Sequence, residues 1–345
     1  MLGTWAYAPR LFGTCGSSPS SASKISAARA PMASPSSVRI AVVGDVHDQW
    51  NLEEDTKALQ FLKPDLVLFT GDFGNENVEL VRNVAKLDFA KAVILGNHDS
   101  WKTQQFSGKR KDNIRQQLEC LGEEHVAYRR LDFPQLKLSI VGGRPFSCGG
   151  EQLFRKDFYL QGAPYGVEDM EQSARRIYKA TIGAPDDHLV IFLTHSGPTG
   201  LGANIDDICG RDWVDGGGDH GDPDLAMALS RLRETANIQI PLVVFGHMHK
   251  QLAHGNGVRK MIAFGPNDMI YLNGAVVPRV RWLTRPLPSK DHVQNEAGNS
   301  QTDQTGSARA FTVVEIRERK VTKITESWVS VVANQTQLEE EHILF

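Results

Sequence analysis

Short unbroken apolar runs, each ending in a turn with histidine, aspartate or asparagine, constrain this chain more than any other feature. VRIAVV (38–43), DLVLFT (65–70) and AVIL (92–95) lack the polar alternation of a half-wetted strand, so each is expected to be a strand buried on both faces. Between them, residues 51–62 set Leu52, Leu59 and Leu62 among charges and stop before Pro64. Residues 76–90 space Val78, Val81, Val84 and Leu87 by threes, and both segments read as amphipathic helices. This β-α-β-α-β order predicts an α/β layered fold. The same style returns in LKLSIVG (136–142), LVIFLT (189–194), PLVVFG (241–246), KMIAFG (260–265) and MIYLNG (269–274). From residue 260 the helical segments disappear, which predicts antiparallel hairpins. FTVVEI (311–316) and VTKITESWV (321–329) alternate as a terminal hairpin pair should.

Composition bounds the function classes. The 345 residues are 41% hydrophobic, enough for a large core, and hold no apolar run of the ~18 residues a spanning helix needs. A formal net charge of −3 argues against a dedicated nucleic-acid binder, which would carry a basic excess. Cys15, Cys120, Cys148 and Cys209 form no CxxC pair and read as reduced thiols. Residues 1–37 contain nine Ser, only Arg10, Lys24 and Arg29 as basic groups, and no acid. That composition is expected of a disordered organelle transit peptide directed to the plastid stroma, with a mitochondrial leader or a cytoplasmic tail as the alternatives. One domain is then expected over 38–335, with a mobile polar loop at 286–310 and a C-terminal tail at 336–345.

The chemistry lies at the strand ends. The runs finish in GDVHD (Asp45, His47), TGDFGN (Asp72), LGNHDS (Asn97, His98), THSGP (His195) and GHMH (His247, His249). In open α/β sheets the ligand site lies beyond the carboxyl ends of the strands, so segments spread over some 200 residues converge on one edge. A nitrogen/oxygen donor set without thiolate suits Mn, Fe, Zn or Mg, and seven groups exceed one tetrahedral site but suit two neighbouring ions. Two carboxylates among five neutral donors leave such a site positive, which favours an anionic phosphoryl group.

Five motifs in this order, GDVHD, GD, GNHD, THSGP and GHMH over residues 44–249, resemble the calcineurin-like metallophosphoesterase superfamily. The resemblance implies a β-sandwich of mixed sheets flanked by helices, with a dinuclear metal site at the strand C-terminal edge. It implies that Asp45, His47 and His249 hold one divalent ion, that Asn97, His195 and His247 hold the other, and that Asp72 bridges them. It implies His98 as the catalytic general acid, with Asn97 and His98 contacting substrate, and hydrolysis of a phosphate ester by a metal-bridging hydroxide. The protein Ser/Thr phosphatase branch carries an arginine after the second-motif aspartate and a Glu after GNH. Here Asp72 is followed by FGNENVEL and His98 by Asp99, which weighs against a phosphoprotein substrate. The GPTGLG run after His195 is more similar to calcineurin-like phosphoesterases of plants and cyanobacteria.

Several residues keep a second reading. Asp45 and Asp72 could cap the helices that follow. Asn97 could serve turn chemistry. His98 and Asp99 could support other groups, Asp99 by orienting a histidine. Arg144 is a candidate phosphate contact, or else a structural arginine. His125, His188, His220, His254, His292 and His342 have no convergent partners in sequence and read as surface or core. The Asp- and Gly-rich stretch 205–224 reads as a solvated loop. Substrate choice is expected to reside in the loops around 100–110, 143–166 and 196–222. A small phosphorylated molecule is the expected partner, with monoester and diester not separated. A phosphodiesterase or nuclease, or a non-catalytic metal-binding scaffold, is the alternative, and oligomeric state is left open.

Overall fold

The structure, a computed structural model, describes residues 37–103, 112–154, 165–253, 257–285 and 304–345. The expected transit peptide, Ser37 excepted, and residues 286–303 of the expected polar loop lie outside the described residues.

The first apolar runs become β1 (Ser37–Val43), β2 (Leu66–Phe69) and β3 (Lys91–Val93), paired in parallel in that order. Between them lie α1 (Leu52–Leu62) and α2 (Val78–Ala85). Asn51 caps α1 by accepting from the Glu53 and Glu54 amides, and Asn77 caps α2 by accepting from the Leu80 amide. The caps are these asparagines, so Asp45 and Asp72 are free for other work.

Beyond them come α3 (Asn113–Leu121), β4 (Arg130–Phe133), β5 (Leu138–Gly142), α4 (Met170–Thr181), β6 (Leu189–Leu193), α5 (Pro223–Thr235) and β7 (Leu242–Phe245). The chain continues through β8 (Ile262–Phe264), β9 (Ile270–Asn273), β10 (Val280–Arg285), β11 (Gln304–Arg317), β12 (Lys320–Val332) and β13 (Gln335–Ile343). One sheet runs β13-β12-β11-β1-β2-β3, with β10 also on β11; the other runs β4-β5-β6-β7-β9-β8. The hairpins expected after residue 260 form at β8–β9 and β11–β12, but β9 also pairs in parallel with β7.

Two expected boundaries move. Residues 304–310, placed in the polar loop, are the first half of β11, and residues 336–343, placed in the tail, are β13. Arg309 is buried there because Glu54 and Asp55 neutralise it, so the polar sequence hides a strand. β13 is largely exposed and rich in glutamate, as suits an edge strand that must resist pairing with other chains.

The double burial inferred from sequence has a simple origin. Ile40, Val42, Leu66 and Leu68 meet Ile140, Leu189, Ile191, Leu193, Leu242 and Val244 between the sheets. Ala41, Val43, Val67 and Phe69 pack outward on α1, α2 and α3, while Val190, Phe192 and Val243 pack outward on α4 and α5. Alternate side chains thus enter different cores, giving a mixed α/β sandwich of two sheets flanked by helices. No helix among the described residues is long and apolar enough to cross a membrane.

Candidate metal centre

The loops leaving β1, β2, β3, β6 and β7 bring the sequence-predicted side chains together. Asp45, His47 and His249 offer donor atoms within 4.8 Å of one another, as do His47, Asp72 and His98, and Asp72, His195 and His247. Asn97 joins them, its Oδ1 lying 2.8 Å from His195 Nε2 and 3.0 Å from His247 Nδ1. The backbone is bent to achieve this: φ is +42° at His47, +51° at Asp72 and +67° at His247, the left-handed region that costs non-glycine residues energy. Two glycines are needed for close approach. A Cβ at Gly96 would lie 2.4 Å from Asp72 Oδ1, and one at Gly246 would lie 2.1 Å from Asp45 Oδ1.

The hydrogen bonds fix which atoms present lone pairs. His195 Nδ1 lies 2.7 Å from the Thr70 carbonyl, which can only accept, so the ring proton is on Nδ1 and Nε2 carries a lone pair. That lone pair faces Asn97 Oδ1, and Asp72 Oδ1 lies 3.4 Å away. Three acceptors crowded in a buried space repel one another unless a cation lies among them. On the other side, His47 Nε2 and His249 Nε2 are 2.9 Å apart, and Asp45 Oδ2 is buried without a hydrogen-bond partner, 3.5 Å from His249 Nε2. These residues fit a pair of divalent ions: the donors are nitrogen and oxygen, and the orphaned atoms converge.

Electrostatics agree. Burial pushes His47, His195 and His247 below the ordinary histidine range, leaving neutral imidazoles of the form that binds metals. Asp45 and Asp72 are pushed apart. Burial works to raise Asp45, but His249, 3.5 Å away, and the other nearby histidines hold it well below the usual carboxylate range. Burial, then Asp45 and Asp99, drive Asp72 well above it. A cation between two buried carboxylates removes that conflict.

Other groups shape the site. Asp99 does not orient a histidine. Its oxygens accept from the backbone amides of Asp72, Phe73 and Gly96, tying two strand-end loops together. His98 lines the cleft, its Nδ1 2.7 Å from Asn75 Oδ1 and its ring stacked on Trp101 at 4.4 Å. Burial, then His47 and His195, lowers His98 to about 4, so the ring is neutral near pH 7. Sequence reasoning passed over Asn75, although it stands three residues after Asp72 in the GDFGN turn. It also passed over His220, which stacks on His247 at 5.7 Å and whose place in a Gly/Asp run gave no signal.

Arg144 is not a phosphate contact. It is buried, its Nε 3.0 Å from Asp224 and its Nη2 2.6 Å from Asp222, while Nη1 donates to the Gln152 and Leu153 carbonyls. Every donor is occupied. The cleft above the histidines has a volume of about 280 Å³, and the one arginine lining it among the described residues, Arg259, is bound to the His249, Asp207 and Gly210 carbonyls and to Asp212.

A family described as calcineurin-like phosphoesterase matches residues 38–251. Among solved structures, a dimetal phosphatase from Danio rerio is 11% identical at a TM-score of 0.46, over 89% of this chain and 98% of that one. A predicted phosphoesterase from Streptococcus pneumoniae is 12% identical at a TM-score of 0.31, over 89% and 98%. A sulfate thiohydrolase from Thermus thermophilus is 12% identical at 0.38, over 83% and 44%. At such scores these likenesses carry no argument about this chain. No curated protein sequence matches it significantly.

Proposed function

This chain belongs to the calcineurin-like phosphoesterase family, and on that premise we propose that it hydrolyses the phosphate ester of a small molecule at a centre of two divalent cations. The observation that supports this most is the meeting of His195 Nε2, Asn97 Oδ1 and Asp72 Oδ1 as three acceptors, with the His195 proton committed to Thr70. On this reading Asp45, His47 and His249 would hold one ion, Asn97, His195 and His247 would hold the other, and Asp72 would serve both. Manganese, iron, zinc and magnesium all suit the donors. When bound, the ions supply the Lewis acidity that activates water near neutral pH and offsets charge on the phosphoryl oxygens.

The protein groups do the rest. Asn97 turns its oxygen to two histidines, so its amide N–H groups remain for a phosphoryl oxygen. Among the described residues the cleft offers no unoccupied arginine, so among them the phosphoryl group finds its positive charge at the centre itself. Asn75 holds the His98 ring through Nδ1, leaving Nε2 for proton transfer. Because that ring is neutral near pH 7, the proton it hands to the leaving oxygen is one given up by the attacking water, so the proton lost from water ends on the departing alcohol.

The test uses the full chain, treated with chelator and reloaded with Mn²⁺. Hydrolysis of 4-nitrophenyl phosphate or its bis-ester is expected on reloading and not before. Asp72→Asn should lower it roughly a hundredfold or more. Chelator-insensitive turnover, or an unaffected Asp72→Asn, contradicts the mechanism; stoichiometric metal without turnover of any phosphate ester identifies a binding scaffold.

A further inference from the structure

Next to the metal cleft lies a larger chamber of about 900 Å³, walled by residues around 148–152 and 199–223. The two spaces adjoin. Trp213 lines both, and His220, in the chamber wall, meets Trp213 edge-on at 4.9 Å and stacks on His247. Among the described residues, the charged groups on the chamber wall are Arg211, Asp219 and Glu151. The Asp219 carboxylate is spent within its own loop, accepting from Thr199 Oγ1 at 2.8 Å, from the Gly221 amide at 2.9 Å and from the Gly200 amide. Glu151 is exposed to water.

Arg211 differs from both. Its Nε is buried without a hydrogen-bond partner, and among the described residues no carboxylate lies within 4.0 Å of its guanidinium. Its main chain is fixed, the Arg211 backbone amide donating to the Gly218 carbonyl at 2.8 Å. The guanidinium lies so close over Gly218 that a Cβ there would be 2.6 Å from Nη2. The neighbouring arginines are different: Arg144 and Arg259 have carboxylate and carbonyl partners. A half-buried guanidinium with an unsatisfied donor, on the wall of a chamber that opens beside the centre, is built to receive an oxyanion.

We propose that this chamber receives the leaving group of the ester, and that Arg211 binds a second oxyanion, a phosphate or carboxylate, carried at the end away from the scissile bond. This rests on the phosphoesterase reading of the adjacent centre. It makes Arg211 the residue that separates doubly anionic esters from simple ones.

Two measurements test it. In the Mn²⁺-loaded full chain, KM is compared for phenyl phosphate and for fructose 1,6-bisphosphate and 4-carboxyphenyl phosphate, in wild type, Arg211→Met and Arg211→Lys. Arg211→Met should raise KM for at least one doubly anionic ester roughly tenfold, leave phenyl phosphate within about twofold, and be partly rescued by Arg211→Lys. Separately, chelator-treated protein is titrated calorimetrically with inorganic phosphate. Binding should be lost in Arg211→Met and kept in Asp72→Asn. If Arg211→Met changes neither the KM ratio nor the titration, the proposal is overturned. If no ester turns over, the phosphoesterase reading fails by itself and the titration alone decides Arg211. Retained unfolding midpoints in both Arg211 variants separate a binding effect from misfolding.

Discussion

At His195 one backbone carbonyl decides the chemistry: Thr70 accepts the hydrogen bond from Nδ1–H, which leaves Nε2 with a lone pair facing Asn97 and Asp72. His98 is set up in the same way by Asn75, but on the substrate side. If it delivers the leaving-group proton, His98→Ala should lower kcat roughly a hundred- to ten-thousand-fold for an alkyl phosphate. The loss should be far smaller for 4-nitrophenyl phosphate, whose leaving oxygen departs without a proton. Equal losses on both esters would instead make His98 a positioning group. The residues gathered at the centre were legible because each sits in a short motif at the end of an apolar run. Asn75, Asp99 and His220 act through neighbours far along the chain, and one-dimensional spacing does not record such contacts.

Among the elements, the buried strands were legible because alternate residues enter two different cores, leaving no polar position to interrupt the run. Helix α4 was not. Of its 12 residues only Ser173, Ala174, Ile177 and Thr181 are buried, so the apolar stripe is too thin to see. The first half of β11 was hidden because its buried Arg309 is neutralised by acids of α1. Arg144 belongs to this scale also, since it joins the loop after β5 to the start of α5 through Asp222 and Asp224. Arg144→Met should cost about 3–5 kcal/mol, because it leaves two carboxylates buried without their counter-charge. Denaturant unfolding measures that loss, and KM for a phosphate ester should stay unchanged in the folded fraction. A raised KM with unchanged stability would restore Arg144 as a substrate contact.

For the molecule as a whole, two sheets packed face to face bring the loops after β1, β2, β3, β6 and β7 to one edge. The inter-sheet core contributes no chemistry itself; it holds in register five loops, four of them strained or glycine-dependent at the site. The account stands on those loops gripping two cations. Metal content of the purified full chain, reconstituted with Mn²⁺ and passed free of excess ion, tests this most directly. Two ions per chain are predicted for wild type, with one or fewer in Asp72→Asn and at most one in His195→Ala. Wild-type protein that retains no stoichiometric metal, or an Asp72→Asn variant that holds both ions as tightly, would contradict it.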